Sequence, residues 1–188
     1  MTDFTIHTEE SAPDTSKPLL SAAKNVFSFV PNLMAGMAEA PAMLEGYITL
    51  NRIFSKSNLS ETECQIILMT NNRLNGCTYC MAAHTTISQG ANVPADVIES
   101  LRSGSEIADS KLEALRKFCA RVNETRGWVE QFDLDAFFAA GYTKQTVLEV
   151  ILGTSLKVMS NYTTHIMSPP VDRAFLPNSW SPSEGIVS

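Results

Sequence analysis

The chain has 188 residues and a mass of 20.6 kDa, enough for one domain around a single core without disulfide staples. A net charge of −6, with 18% charged and 44% apolar residues, describes an ordinary globular protein without the positive field that a phosphate backbone requires, which excludes nucleic acid as a partner. The N-terminus has no basic segment leading into an apolar one, and no apolar run approaches the roughly 20 residues of a membrane helix, so the expected location is the cytoplasm, with no membrane partner.

Residues 1–18 are polar with scattered Pro and Thr, and read as an arm that runs over the surface or docks on a partner. Residues 19–176 read as one domain, and 177–188, with Pro177, Pro182 and Gly185, as a tail. Between the ends the apolar spacing is helical and no run of alternating β-branched residues occurs, which predicts an all-α domain. Pro41 opens a helix through Phe54 with Met43, Leu44, Tyr47, Ile48 and Ile53 on its inner side. Ser60 caps the next in a reciprocal box with Glu63, an apolar run follows to about Asn75, and Gly76 breaks it. The following helix starts at Gly76 or Cys77 and runs to Gly90, read as a left-handed terminator. Pro94 opens a short helix to Arg102, Ser110 and Glu113 form a second capping box for a helix ending near Gly127, and Asp133 and Gly141 bracket another. Thr143 caps a final long helix whose Val147, Leu148, Val150, Ile151, Leu156 and Met159 are apolar on all sides, which places it at the centre. Residues 59–79 and 142–162 overlay without gaps, from Ser60 or Thr143 to Tyr79 or Tyr162, and read as a duplicated helical unit.

Chemistry concentrates in the segment from Asn75 to His84. On a helix, positions three and four apart stack on one face, so Cys77, Cys80 and His84 point the same way. Two sulfurs on adjacent turns can close a small disulfide with little backbone movement, and the free N–H groups of a first turn favour thiolate over thiol. The helix terminus favours Cys77 as the more acidic thiol, whereas His84, four residues beyond Cys80, favours Cys80 by accepting its proton. The spacing therefore suggests that Cys80 attacks, His84 activates and Cys77 resolves. Covalent haem is excluded because Met81, not His, follows Cys80. Zinc would recruit Cys64 or His165 to complete a tetrahedron, but no second ligand pair at the right spacing is present. The remaining reading makes both thiols small core residues. Cys64 and Cys119, inside apolar helical patterns without basic neighbours, are assigned to packing. No metal and no cofactor is assigned.

The stretch Leu59 to His84, with its capped apolar helix, Asn75-Gly76 break, Cys77-x-Tyr79-Cys80 and His84, resembles the core of the AhpD-like group of the carboxymuconolactone decarboxylase family. Ser160-Asn161-Tyr162, His165 and Pro170-Val171-Asp172 resemble its peroxidase-related branch. The resemblance implies an all-helical fold, trimers or hexamers, and thiol-dependent reduction of hydroperoxides, with Cys80 attacking, Cys77 resolving and His84 in a proton relay. It places a relay Glu twelve residues before the first Cys, where this chain has Gln65. Gln cannot exchange a proton at neutral pH, though its amide can orient a ring nitrogen or a water. Glu149, which interrupts the apolar final helix, is the candidate substitute, the alternatives being a solvated position or a partner for Lys157. His165 lines the same pocket or caps the helix C-terminus. Lactone decarboxylation needs no dithiol and ranks below a redox role. The expected function is thus a peroxidase with a small hydroperoxide substrate and an external dithiol reductant. The alternatives are an oxidoreductase for protein or lipoyl disulfides and a non-catalytic metal-binding or redox-sensing module.

Overall fold

The computed structural model describes residues 4–182; the first three residues of the arm and residues 183–188 of the tail, Gly185 among them, lie outside the described residues. These residues form nine α-helices and a short 3-10 turn, with no strand among them. The helices are α1 (Lys17–Phe27), α2 (Asn32–Met37), α3 (Pro41–Phe54), α4 (Glu61–Leu74), α5 (Thr78–Gly90), α6 (Ala95–Ser103), α7 (Ser110–Glu124), α8 (Gln131–Ala139) and α9 (Lys144–Met167), with the turn at Leu176–Asn178.

The centre is α4. Every residue from Cys64 to Asn72 is buried, because α5, α6, α7 and α9 surround it and leave no solvent face. Its start follows from the capping box: Ser60 Oγ accepts from Glu63 N, and Glu63 Oε2 accepts from Ser60 N at 2.8 Å. Helix α9 lies beside it rather than in the middle. Val150, Gly153, Leu156 and Lys157 face inward, while Leu148, Ile151, Tyr162 and Ile166 are exposed. The expectation of a central α9 failed because apolar residues on two faces imply burial only if both faces have neighbours, and α9 has them on one.

Four local expectations are also revised. The chain after α5 turns left-handed at Asn92 (φ 58°), not Gly90, and Val93 N closes the turn on Ser88 O at 3.0 Å. Asp109 rather than Ser110 caps α7, its Oδ1 accepting from Lys111 N and Leu112 N, and Glu113 instead pairs with Arg116 at 2.6 Å. On α3, Phe54 is buried and Ile53 exposed. Helix α8 starts ahead of Asp133, which serves as the third helical residue of a capping box with Glu130.

Helices α1 and α2 were not foreseen, although Pro18 at the start of α1 and inward Leu20 and Ala23 carry the signal. The arm lies on them: Ser16 Oγ donates to Ala38 O at 2.8 Å, and Glu9 bridges Ser21 and Lys24. At the other end, Asn178 bonds Thr86 and Gln89 on α5, and Arg102 donates to Asn178 O and Ser179 O, strapping residues 175–180 across α5. Of the tyrosines that end the two overlaid segments, Tyr79 is buried and Tyr162 exposed.

The approach of α9 to the core depends on Gly153, where a Cβ would lie 2.7 Å from Ile67 Cγ2 and 2.9 Å from the Phe54 ring. Gly153→Ala is expected to destabilise the fold by ~1–3 kcal/mol in urea unfolding, since backbone or ring must shift to admit the methyl. A variant as stable as the parent would show that the helices separate freely.

Candidate active site

Gly76, at φ 64°, turns the chain sharply after α4. Cys77 N then donates to Asn72 O at 2.9 Å, and Cys77 becomes the N-cap of α5, its sulfur accepting from Cys80 N at 3.4 Å. A thiol thus takes the place usually held by a Ser or Asp oxygen. An amide network holds the junction: Asn72 donates to Cys80 O, Asn161 of α9 donates to Asn72 Oδ1, and Asn75 donates to Asn161 Oδ1. Both cysteines are free and buried, Cys77 at 1% and Cys80 at 2% exposure.

The two thiols have opposite acidities. Burial pushes the Cys80 thiol up, but the hydrogen bond from Cys77, the charge of Lys157, and bonds from Asn161 and Thr164 outweigh it and hold Cys80 well below the ordinary thiol range. Cys77 is pushed up, first by its hydrogen bond to Cys80 and then by burial and the neighbouring thiolate. Its sulfur also lies 3.0 Å from Thr164 Oγ1. The helix-terminus argument favoured Cys77, but in this geometry Cys77 keeps its proton and lends it to Cys80 as a hydrogen bond.

Lys157 is the residue that sequence reasoning missed. It is 1% exposed, and among the described residues no carboxylate pairs with it. A buried ammonium without a counterion is costly, so the Cys80 thiolate is its natural partner. The signal was present in the sequence: Lys157, Asn161 and Thr164 stand four and three residues apart on one face of α9, and all three are buried.

His84 sits in a directional chain. The Glu61 carboxylate can only accept, so Gln65 Nε2 donates to Glu61 Oε1 at 2.9 Å and turns its carbonyl toward His84. That carbonyl accepts from His84 Nδ1 at 2.9 Å, which leaves the lone pair on Nε2 to accept from Lys157 Nζ at 3.1 Å. Burial and the Lys157 charge hold the imidazole well below its ordinary value, so it stays neutral. His84 therefore differs from the expected base: neither ring nitrogen bonds the Cys80 sulfur, and its effect on the thiolate passes through Lys157. Gln65 orients the ring as its amide allows.

Glu149 does not reach the site. It lies eight residues before Lys157, about 12 Å along α9, and accepts from Asn58 N at 3.1 Å and Gln145 Nε2 at 2.9 Å. His165 is exposed beside Tyr162 and lines a separate groove with Gly76, Cys77, Ser168 and Pro169, not the space around Cys80. Cys64 and Cys119 are buried apart from the pair, and burial pushes their thiols up to about 11 and about 12. Among the described residues no three His, Cys, Asp or Glu side chains gather as a metal site, so the tetrahedron with Cys64 or His165 does not form.

Cys80 opens into a small cavity of about 40 Å³. Its polar wall is Tyr47, Tyr79, His84 and Lys157, and its apolar wall includes Phe27, Leu33, Met34, Ile87 and Phe175. Phe175 is carried there by the stretch after α9 that leads into the tail, which Asp172 anchors by accepting from the Tyr79 hydroxyl and from Asn32 N. Tyr79 in turn accepts from Leu33 N at 3.2 Å, so one tyrosine ties α2, α5 and the tail together.

Solved structures share this arrangement of helices. An AhpD-core, uncharacterized peroxidase-related protein from Ralstonia eutropha JMP134 superposes with a TM-score of 0.82 at 18% identity, covering 92% of this chain and 93% of its own. The chain has the AhpD-like fold. A peroxidase-related protein from Silicibacter sp. TM1040 gives 0.79 at 17% identity, covering 93% and 92%. The debrominase Bmp8, also solved as a cysteine-to-alanine variant with 2,3,4-tribromopyrrole, gives 0.79 at 15% identity, covering 95% and 96%. No family profile matches the sequence, and the comparison with curated proteins gives no match. Within the AhpD-like fold, the start of α5 and the inward face of α9 meet at the thiol pair.

Replacing Lys157 by Met removes the positive charge and keeps the length. Because Lys157 favours the charged form of Cys80, its loss should raise the pH at which the thiolate forms and lower the iodoacetamide alkylation rate at neutral pH by about tenfold or more. Ultraviolet thiolate titration of both proteins checks this. An unchanged midpoint would remove Lys157 from the site's electrostatics.

Proposed function

We propose that the protein is a thiol-dependent peroxidase that reduces small hydroperoxides through a Cys77/Cys80 dithiol–disulfide cycle. The observation that carries this reading is the buried Cys77/Cys80 pair three residues apart at the start of α5, with Cys80 and Lys157 on the wall of one small cavity and the Cys80 thiol held low by Cys77 and Lys157. The thiolate attacks the hydroxyl-bearing oxygen, the O–O bond breaks, and Cys80 becomes a sulfenic acid. The Cys77 thiol then attacks that sulfur, water leaves, and a disulfide closes between residues three apart. An external dithiol returns both sulfurs to the reduced state.

Burial favours a small substrate over the disulfide of another protein, because cysteines buried to this degree offer a folded partner no line of attack. The Lys157 charge disfavours a metal-holding role for the same thiols. A halogenated aromatic is the second reading: the cavity carries Phe27, Tyr47, Tyr79 and Phe175, and the fold is shared with a debrominase that was solved with a brominated pyrrole. Bromide release from such a compound, measured beside peroxide consumption, separates the two.

The exposed Leu148, Ile151, Tyr162 and Ile166 of α9 support assembly into a trimer or hexamer through that face. A cytoplasmic setting suits a thiol pair that must be returned to the reduced state in each cycle. No described helix is long and apolar enough to cross a membrane.

Adding one equivalent of hydroperoxide should remove two of the four titratable thiols. Cys80→Ser should abolish peroxide consumption, and Cys77→Ser should leave a sulfenate that dimedone traps. Wild-type turnover in both variants would sink the reading.

A further inference from the structure

Every polar group on the wall of the Cys80 cavity is engaged except one. The Tyr79 hydroxyl is held by Asp172 and Leu33, both His84 nitrogens are bonded, and Lys157 is committed to His84 and the thiolate. Tyr47, on α3, is different. The residue is 6% exposed, and its hydroxyl makes no hydrogen bond to any described residue. Nor is it sealed in the core, since it keeps contact with the cavity that Cys80 opens into. A buried phenol costs free energy unless its O–H finds an acceptor, and the one place from which an acceptor can arrive is the cavity.

Resting on the peroxidase reading above, we propose that Tyr47 is a catalytic residue that donates its proton to the departing oxygen of the hydroperoxide. The thiolate sulfur of Cys80 forms an S–O bond with the hydroxyl-bearing oxygen, and the electron pair of the broken O–O bond leaves with the alkoxy group. Sulfur is oxidised by two electrons and the peroxide reduced by two. The alkoxide is a far stronger base than a phenolate, so it takes the Tyr47 proton and leaves as the alcohol. One proton from solvent then restores the phenol, and the sum is thiolate, hydroperoxide and proton giving sulfenic acid and alcohol.

The charges in the cavity support this assignment. Before attack the negative charge sits on Cys80, and after it on Tyr47, with Lys157 on the same cavity wall throughout. Burial and the two thiols raise Tyr47 above the ordinary phenol range, so in the resting site it holds its proton instead of competing with Cys80 for the negative charge. A general acid that stays protonated until the leaving group forms fits the chemistry.

Tyr47→Phe keeps the ring and removes the donor. Sulfenate formation from cumene hydroperoxide in a single turnover should slow by ~10²-fold. Reaction of the same variant with methyl methanethiosulfonate, whose sulfinate leaving group needs no proton, should keep its wild-type rate, and so should the pH midpoint of the Cys80 thiolate. An unchanged peroxide rate, or equal slowing with both reagents, overturns the role, because a structural defect would move both. A wild-type protein that ignores the hydroperoxide overturns the peroxidase reading and this step with it. That failure is distinct, because the inactive protein is then the parent, not the variant.

Discussion

The site turns on a buried lysine that no described carboxylate pairs and whose charge favours the Cys80 thiolate. Lys157 lies within the fold without a carboxylate partner, and an isolated ammonium in a low-dielectric interior costs several kcal/mol. That cost is offset by keeping Cys80 ionised, so the charge on α9 and the thiolate on α5 stabilise each other. His84, rather than taking the thiol proton, accepts a hydrogen bond from the ammonium and holds it in place. Gln65 and Glu61 continue the chain outward and set which ring nitrogen carries hydrogen. A Glu at position 65 would have added a charge to this chain; the neutral amide transmits orientation only.

In the proposed cycle the same pairing shapes the redox balance. Oxidation consumes the thiolate and leaves Lys157 without its partner, whereas reduction restores both. Stabilising the reduced form in this way makes a disulfide more oxidising, and it makes Cys80 the better leaving group when an external thiol attacks. Attack on Cys77 with departure of Cys80 is therefore the favoured direction of reduction.

Such electrostatics require rigid placement. The amides of Asn72, Asn75 and Asn161 lock the end of α4 to the start of α5 and to α9, and the two bonds made by Asn72 are buried. Tyr79 and Asp172 do the same on the far side, drawing α2 and the tail against α5 so that Phe175 closes part of the cavity wall. Buried α4 supplies a fixed base for the first set of bonds.

The sequence by itself determined the helical class, the boundaries of α3 and α4, the capping of α4 and α9, and the shared face of Cys77, Cys80 and His84. These depend on periodicity and on side chains reaching backbone groups within one turn, which are local effects. Gly90 and Ser110 show the limit of such signals, since a neighbouring Asn92 or Asp109 served the same purpose with better geometry. Which apolar face of α9 meets the core, and the removal of Glu149 and His165 from the site, were decided only by the tertiary structure. So were the positions of Lys157 and Tyr47 on the cavity wall, 73 and 37 residues distant in sequence from His84. Proton affinity and charge pairing depend on which groups come within a few ångströms, and no spacing along one helix determines what another helix brings to it.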